Sequence, residues 1–317
     1  LWQLGVHSVV LADAASDVLV AALLAAASHG SLSGADSRSL TGASLGWVPQ
    51  LFAEGATPHA AEPTVSGREV PGRVIVVWGP NGAPGRTAVA VNLAVGLAML
   101  DRHVVLVDAD TYGGCVAQTL ALLDEAPGVA AAARSADQGA LDVALLSRLL
   151  LEVRPGLRVL TGIPKADRWP EVRGAALERV LQVCRAVADD VVVDVGFSLE
   201  DDEELSYDTQ APRRNQATLT ALQSADAAVV VGGCDPISLQ RLVRGLQELG
   251  TVRAPEPMVV VNRLRSGPIG SPPARLVADA LARFAGVTDL HTVPDDPAAF
   301  DAAMPAGPAP PAVPPPL

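Results

Sequence analysis

The apolar positions of this chain fall into short, nearly unbroken runs separated by longer stretches with helical spacing. Val74–Trp78, His103–Val107, Leu157–Leu160, Val191–Asp194, Ala227–Val231, Met258–Asn262 and Leu290–Val293 read as strands. Their Val- and Leu-rich runs do not alternate with polar residues, which is the pattern of strands buried on both faces. Thr87–Leu100, Leu141–Glu152, Glu171–Ala188 and Leu276–Phe284 carry helical periodicity, and further helical stretches flank the strands at Ala227–Val231 and Met258–Asn262. Such alternation predicts βαβ units: an α/β fold with a doubly wound, mostly parallel sheet and helices on both faces.

The pattern also divides the chain. Residues 1–29 read as one strand, Ser8–Leu11, and one helix beginning at Ser16, which is too little to make a domain and so reads as the remnant of a larger one. Residues 30–70 are rich in Gly, Ser, Ala and Pro without periodicity and read as a linker. Residues 71–300 hold the alternating elements, and the Pro-rich stretch 301–317 is expected to be a disordered tail.

Composition narrows the picture. Hydrophobic residues make up 49% of the chain but aromatics only 3%, so the core must be built from Ala, Val and Leu. A net charge of −12 argues against nucleic acid as a partner, which calls for a basic footprint. Cys115, Cys184 and Cys234 are scattered and lack metal-ligand spacing, as in a reduced, cytoplasmic protein. The longest apolar run, Val18–Ala27, falls short of the roughly 20 residues of a membrane span, and no charged leader precedes it.

The strongest local signal is GPNGAPGRT at Gly79–Thr87, directly after one strand and opening a helix. A phosphate-cradling loop needs small residues so that backbone N–H groups can turn inward. It also needs a helix N-terminus for its dipole and a Ser or Thr hydroxyl for Mg²⁺. Gly82, Gly85 and Thr87 meet those needs; the bland alternative is a Gly/Pro-rich turn. Two strands then end in carboxylates, one in Asp108-Ala109-Asp110 and one in Asp194. A lone strand-end Asp ordinarily caps a turn. Three of them after a phosphate loop point to the crevice where parallel sheets bind ligands, with carboxylates placed to hold hydrated Mg²⁺ or orient a water.

This loop, the helix AVNLAVGLA, VVLVDAD roughly twenty residues on, and a later apolar strand ending in Asp resemble the MinD/ParA family of P-loop ATPases from about Arg73 to Phe300. Within it the chain looks closest to the CpaE/TadZ-like and septum-site-determining branch, whose members carry a degenerate receiver-like domain before the ATPase. LGVHSVVLADAASDVLVAALLAAA resembles the last strand and helix of such a domain. The resemblance implies ATP or ADP and Mg²⁺ as cofactors. Gly82, Ala83, Gly85, Arg86, Thr87 and Ala88 then fall on the nucleotide loop and its first helical turn. Thr87, Asp108 and Asp194 fall at the metal, and Asp110 on the carboxylate that orients the attacking water. Asn262 falls where the family contacts adenine, and Pro294 in the loop flanking the base. A homodimer and protein partners in a division or pilus/secretion apparatus are implied as well. MinD proteins end in an amphipathic membrane helix, whereas this chain ends in Pro-rich residues, so no membrane-targeting helix is expected there.

The departures from the family pattern bear on activity. Where its loop reads KGGxGK[ST], these positions read NGAPGRT. Asn81 stands where a lysine reaches the partner's phosphates across an ATP-bound dimer. Arg86 replaces the lysine that contacts the β and γ phosphates, a planar fork in place of a compact ammonium. Pro84 has no N–H to offer. Only one of the 23 basic residues is a lysine, Lys165 in GIPKADRW, and it reads as exposed. Arg213-Arg214 reads as a solvent-exposed pair, the acidic run from Glu200 as a solvated loop, Trp169 as a packing anchor, and Asp235 as a helix cap. These features together imply a positioning protein that hydrolyses ATP weakly or not at all. The alternatives are an active DNA-partitioning ATPase and a ligase or kinase on the same scaffold.

Overall fold

A computed structural model describes residues 70–122, 128–201 and 212–297. The expected receiver-like remnant (1–29), all but the last residue of the expected linker (30–70) and the expected tail (301–317) lie outside the described residues. The described chain runs β1 (Arg73–Trp78), α1 (Arg86–Met99), β2 (Val104–Ala109), α2 (Val116–Thr119), α3 (Gly128–Asp137), α4 (Val143–Leu149), β3 (Leu151–Arg154), β4 (Leu157–Leu160), α5 (Gly174–Val187), β5 (Asp190–Val195), α6 (Gln216–Gln223), β6 (Ala227–Gly233), α7 (Pro236–Leu249), β7 (Pro257–Leu264), α8 (Pro273–Ala285) and β8 (Leu290–Pro294). A 3₁₀ segment, Ala166–Glu171, precedes α5.

The strands form one eight-stranded sheet in the order β3-β4-β2-β5-β1-β6-β7-β8. All pairs are parallel except β3 with β4, an antiparallel edge. Every residue of β2 and β5 is buried, because both faces of the sheet are covered. Alternation within one strand separates the two layers. Val74, Val76 and Trp78 of β1 join the core formed with α3 to α8, whereas Ile75 and Val77 join the core beneath α1 and α2. Large aromatics are scarce, so Ala90 and Ala94 of α1 and Ala130 and Ala132 of α3, all buried, let helices lie close on the Val-rich strands.

At the end of the sheet away from the phosphate loop, the buried carboxylate of Asp190 is pinned by two guanidinium groups, Arg73 at 2.9 Å and Arg102. This is a structural clamp across β1, β2 and β5 that leaves the opposite, carboxyl end of those strands free for a ligand.

The structure departs from the expected elements at several points: helix α3, Gly128–Asp137, has no counterpart among them, and the helix expected from Glu171 begins at Gly174 after the 3₁₀ segment. Leu141–Glu152 is not one helix. Asp142 caps α4 by accepting from Leu145 N, the helix ends at Leu149, and Leu151–Arg154 pairs as strand β3. The alternating Leu-Glu-Val-Arg segment, followed by Pro155 and a left-handed Gly156 (φ 83°), makes a hairpin edge. The strand expected over His103–Val107 instead runs Val104–Ala109, which puts Asp108 inside the ladder, in register with Asp194.

Candidate functional site

Gly79–Thr87 connects the carboxyl end of β1 to α1, as the spacing predicts. Gly82 (φ 77°) and Gly85 (φ 82°) take left-handed conformations that most side chains resist, and they turn the loop back over the helix N-terminus. Ala83 N–H is already spent on Pro80 O at 3.0 Å, and Pro84 has no N–H to spend. Asn262, at the end of β7, tethers the loop from beneath. Its amide donates to Pro84 O at 3.0 Å and its carbonyl oxygen accepts from Arg263 N at 2.9 Å, so both polar ends hold backbone. Pro294 ends β8, exposed, three strands from β1. Ala88 lies in the first turn of α1, partly buried.

The three carboxylates converge on this loop. Thr87 Oγ1 donates to Asp194 Oδ2 at 2.6 Å, and Asp108 sits directly across the ladder from Asp194. Asp108 is held by Asp110 N–H at 3.2 Å and Val116 N–H at 3.1 Å. Asp110 Oδ1 accepts from Tyr112 N–H at 2.8 Å and Gly113 N–H at 3.2 Å. Among the described residues, buried Asp194 Oδ1 has no hydrogen-bond partner, and an orphaned carboxylate oxygen is costly unless something else meets it. Burial pushes the Asp108 carboxyl up to about 8, with the Asp194 charge adding to it. Burial likewise pushes Asp194 up to about 7, against the Thr87 hydroxyl, which favours the charged form. Two crowded, desolvated acids beside a hydroxyl and a helix N-terminus are what a divalent cation with phosphate relieves. The residues present therefore fit Mg²⁺, with Thr87, Asp108 and Asp194 as its holders.

The phosphate side differs. Arg86 donates from Nη1 to Gly79 O at 2.9 Å, and its Nη2 stands 3.6 Å from Asp110 Oδ2. The one cation of the loop is thus partly spent on its own backbone and on Asp110, and exposed Asn81 brings none.

No protein-family profile matches the chain, and no curated protein does. Solved structures do. A ParA family ATPase from Chlorobium tepidum superposes with a TM-score of 0.59 at 19% identity, over 73% of this chain and 88% of that one. The septum site-determining protein MinD from Pyrococcus horikoshii, complexed with Mg-ADP, gives 0.55 at 18% identity, over 73% and 85%. A chain of the MinC:MinD cell division protein complex from Aquifex aeolicus gives 0.51 at 19% identity, over 73% and 85%. The chain has the MinD/ParA fold. As in other parallel sheets of this architecture, the crevice of the MinD/ParA-like sheet lies at the carboxyl ends of its strands, where Thr87, Asp108, Asp110 and Asp194 meet.

Around this crevice the structure adds contacts that residue patterns did not show. Arg214 is not a solvated arginine. Its guanidinium lies 3.7 Å from the centre of the Tyr112 ring and donates to Thr111 Oγ1 at 2.8 Å and Thr111 O at 3.1 Å. Tyr112 in turn donates its hydroxyl to Asn215 Oδ1 at 2.6 Å and packs on Phe197, 4.7 Å between ring centres. This network ties the segment after β2 to the segment after β5. In a chain with only four Trp, two Tyr and four Phe, the placing of Tyr112 two residues past Asp110 was the available signal. Trp169 packs against the core, as expected of an anchor. Lys165 is exposed and helps line a cleft of about 70 Å³ between Asp110–Gly114 and Ile163–Ala166, large enough for water beside Asp110. Cys115 Sγ lies 3.6 Å from Thr87 Oγ1, and buried Cys234 donates to Arg263 O at 3.0 Å. Asp235 caps α7, accepting from Ile237 and Ser238 N–H. Of the acidic run, Glu200 and Asp201 are described, and Asp201 pairs with Arg213 at 2.6 Å.

Proposed function

We propose that this chain is a MinD/ParA-like nucleotide-binding positioning protein that binds Mg²⁺-nucleotide and hydrolyses ATP slowly or not at all. One observation carries the reading: the metal side of the site is assembled while its phosphate side is depleted. Thr87, Asp194 and Asp108 stand together with one carboxylate oxygen still unpartnered. The only cation of the loop, Arg86, is engaged with Gly79 O and Asp110. A bound Mg²⁺ supplies charge neutralisation on the phosphates. The chain's own residues orient and bind: the left-handed turns at Gly82 and Gly85 aim the loop, the N-terminus of α1 favours anions, and Asp110 lines an adjoining cleft with room for a water. What the loop itself lacks is a free cation for the charge that develops on the transferring phosphoryl group, and such a cation is worth about 10³-fold or more in rate.

A protein that binds nucleotide and turns it over slowly acts through the shape its nucleotide stabilises, here through a homodimer and protein partners. The MinD relatives of the same fold include a septum site-determining protein and a complex with MinC, which supports a role in septum-site selection or in localising a pilus or secretion machine from the cytoplasm. The experiment is ATP turnover with and without DNA. The expected outcome is slow turnover, below about one per minute, unchanged by DNA. Strong stimulation by DNA would instead identify a partitioning ATPase.

A further inference from the structure

Helix α7 runs along the outer flank of the phosphate loop. Gly245, Arg241 and Ser238 fall three and four residues apart and so share one face. A Cβ at Gly245 would meet Pro80 at 3.0 Å, and a Cβ at Gly233 would meet Ser238 at 2.9 Å and Pro84 at 3.1 Å. Between these two contacts, Nη1 of Arg241 lies against Gly82, 2.3 Å from where a Cβ would stand. The guanidinium therefore occupies the exposed lip of the loop, next to Asn81. Among the described residues it has no hydrogen-bond or ion-pair partner. This distinguishes it from Arg86, whose guanidinium is tied to Gly79 O and Asp110. Three carboxylates, Asp108, Asp110 and Asp194, crowd the same crevice, so a polyphosphate seated in the loop meets a strongly acidic surround and one occupied cation.

We infer that Arg241 is a phosphate-binding residue of this site, a cation supplied from α7 to the terminal phosphates that the loop itself no longer supplies. The inference rests on the nucleotide-binding reading above. A planar, always charged fork suits phosphate oxygens, and its approach is open only because Gly82 carries no side chain. The residue contributes to holding ATP, less to ADP, and not to AMP, which lacks the terminal phosphates.

The test is calorimetric titration of Mg²⁺ with ATP, ADP and AMP into the parent, Arg241→Ala and Arg241→Lys, with thermal unfolding of each as a check on the fold. Arg241→Ala is expected to weaken ATP about tenfold or more, ADP by less, and AMP not at all. Arg241→Lys should recover most of the ATP affinity. ATP binding that Arg241→Ala leaves unchanged, or an equal loss for all three nucleotides, overturns the inference while leaving the nucleotide-binding reading standing. A parent that binds none of the three overturns both. Should Arg241→Ala unfold early, Arg241→Gln takes its place under the same criteria.

Discussion

Asp194→Asn is expected to make the nucleotide-free protein more stable while removing its response to Mg²⁺. The carboxyl has one oxygen on the Thr87 hydroxyl and one buried without a partner. Burial holds its pKa at about 7, against about 3.9 in an unfolded chain. A folded value above the unfolded one means that the folded protein binds the proton the unfolded chain releases. Its stabilising contribution is then fully present below about pH 4 and is lost as pH rises through about 7. Asparagine keeps an acceptor for Thr87, places N–H₂ where the orphaned oxygen stood, and carries no charge to bury. In chelator, urea unfolding at pH 5, 6, 7 and 8 should show the variant gaining on the parent across this window, reaching about 1–3 kcal/mol at the upper end. Adding Mg²⁺ with ATP should stabilise the parent and not the variant. Equal stability at every pH would mean that the carboxylate is solvated and the site is not preformed.

The second large effect concerns rate. Restoring lysine at both Asn81 and Arg86 is expected to raise ATP turnover about tenfold or more, in a chain where Asp110→Ala changes little. Asn81 is exposed at the lip of the loop, so a lysine there has room to extend. Replacing Arg86 releases a guanidinium now shared between Gly79 O and Asp110 and puts a compact ammonium in its place. Steady-state phosphate release by the parent, each single variant and the pair measures this. No gain in the double variant would locate the slow step elsewhere.

The sheet was legible because its strands are buried on both faces, so that uninterrupted Val-rich runs such as Val191–Val193 can be little else. Thr87, Asp108, Asp110 and Asp194 were legible because each sits at a strand end or helix start, where chain order alone determines the side of the sheet. The edge strand Leu151–Arg154 was not. Four residues, none of them fully buried, compete poorly with the helical pattern before them, and the strand's identity is decided by pairing with β4. Arg214 and Arg241 were also hidden. Each reaches its place from a distant element, one onto Tyr112 and one onto Gly82, and local composition gives no sign of such contacts. Asn262 shows the intermediate case: its strand-end position pointed to the site, and the structure shows it tethering the loop through Pro84.

Calorimetric titration of ATP and ADP into the parent protein, with Mg²⁺ and with chelator, is the most direct test. Measurable, weak binding that requires Mg²⁺ is expected, because Thr87, Asp108 and Asp194 together fit the ion while the loop is short of cations. Binding indifferent to Mg²⁺, or no binding at all, would contradict a nucleotide site of this kind.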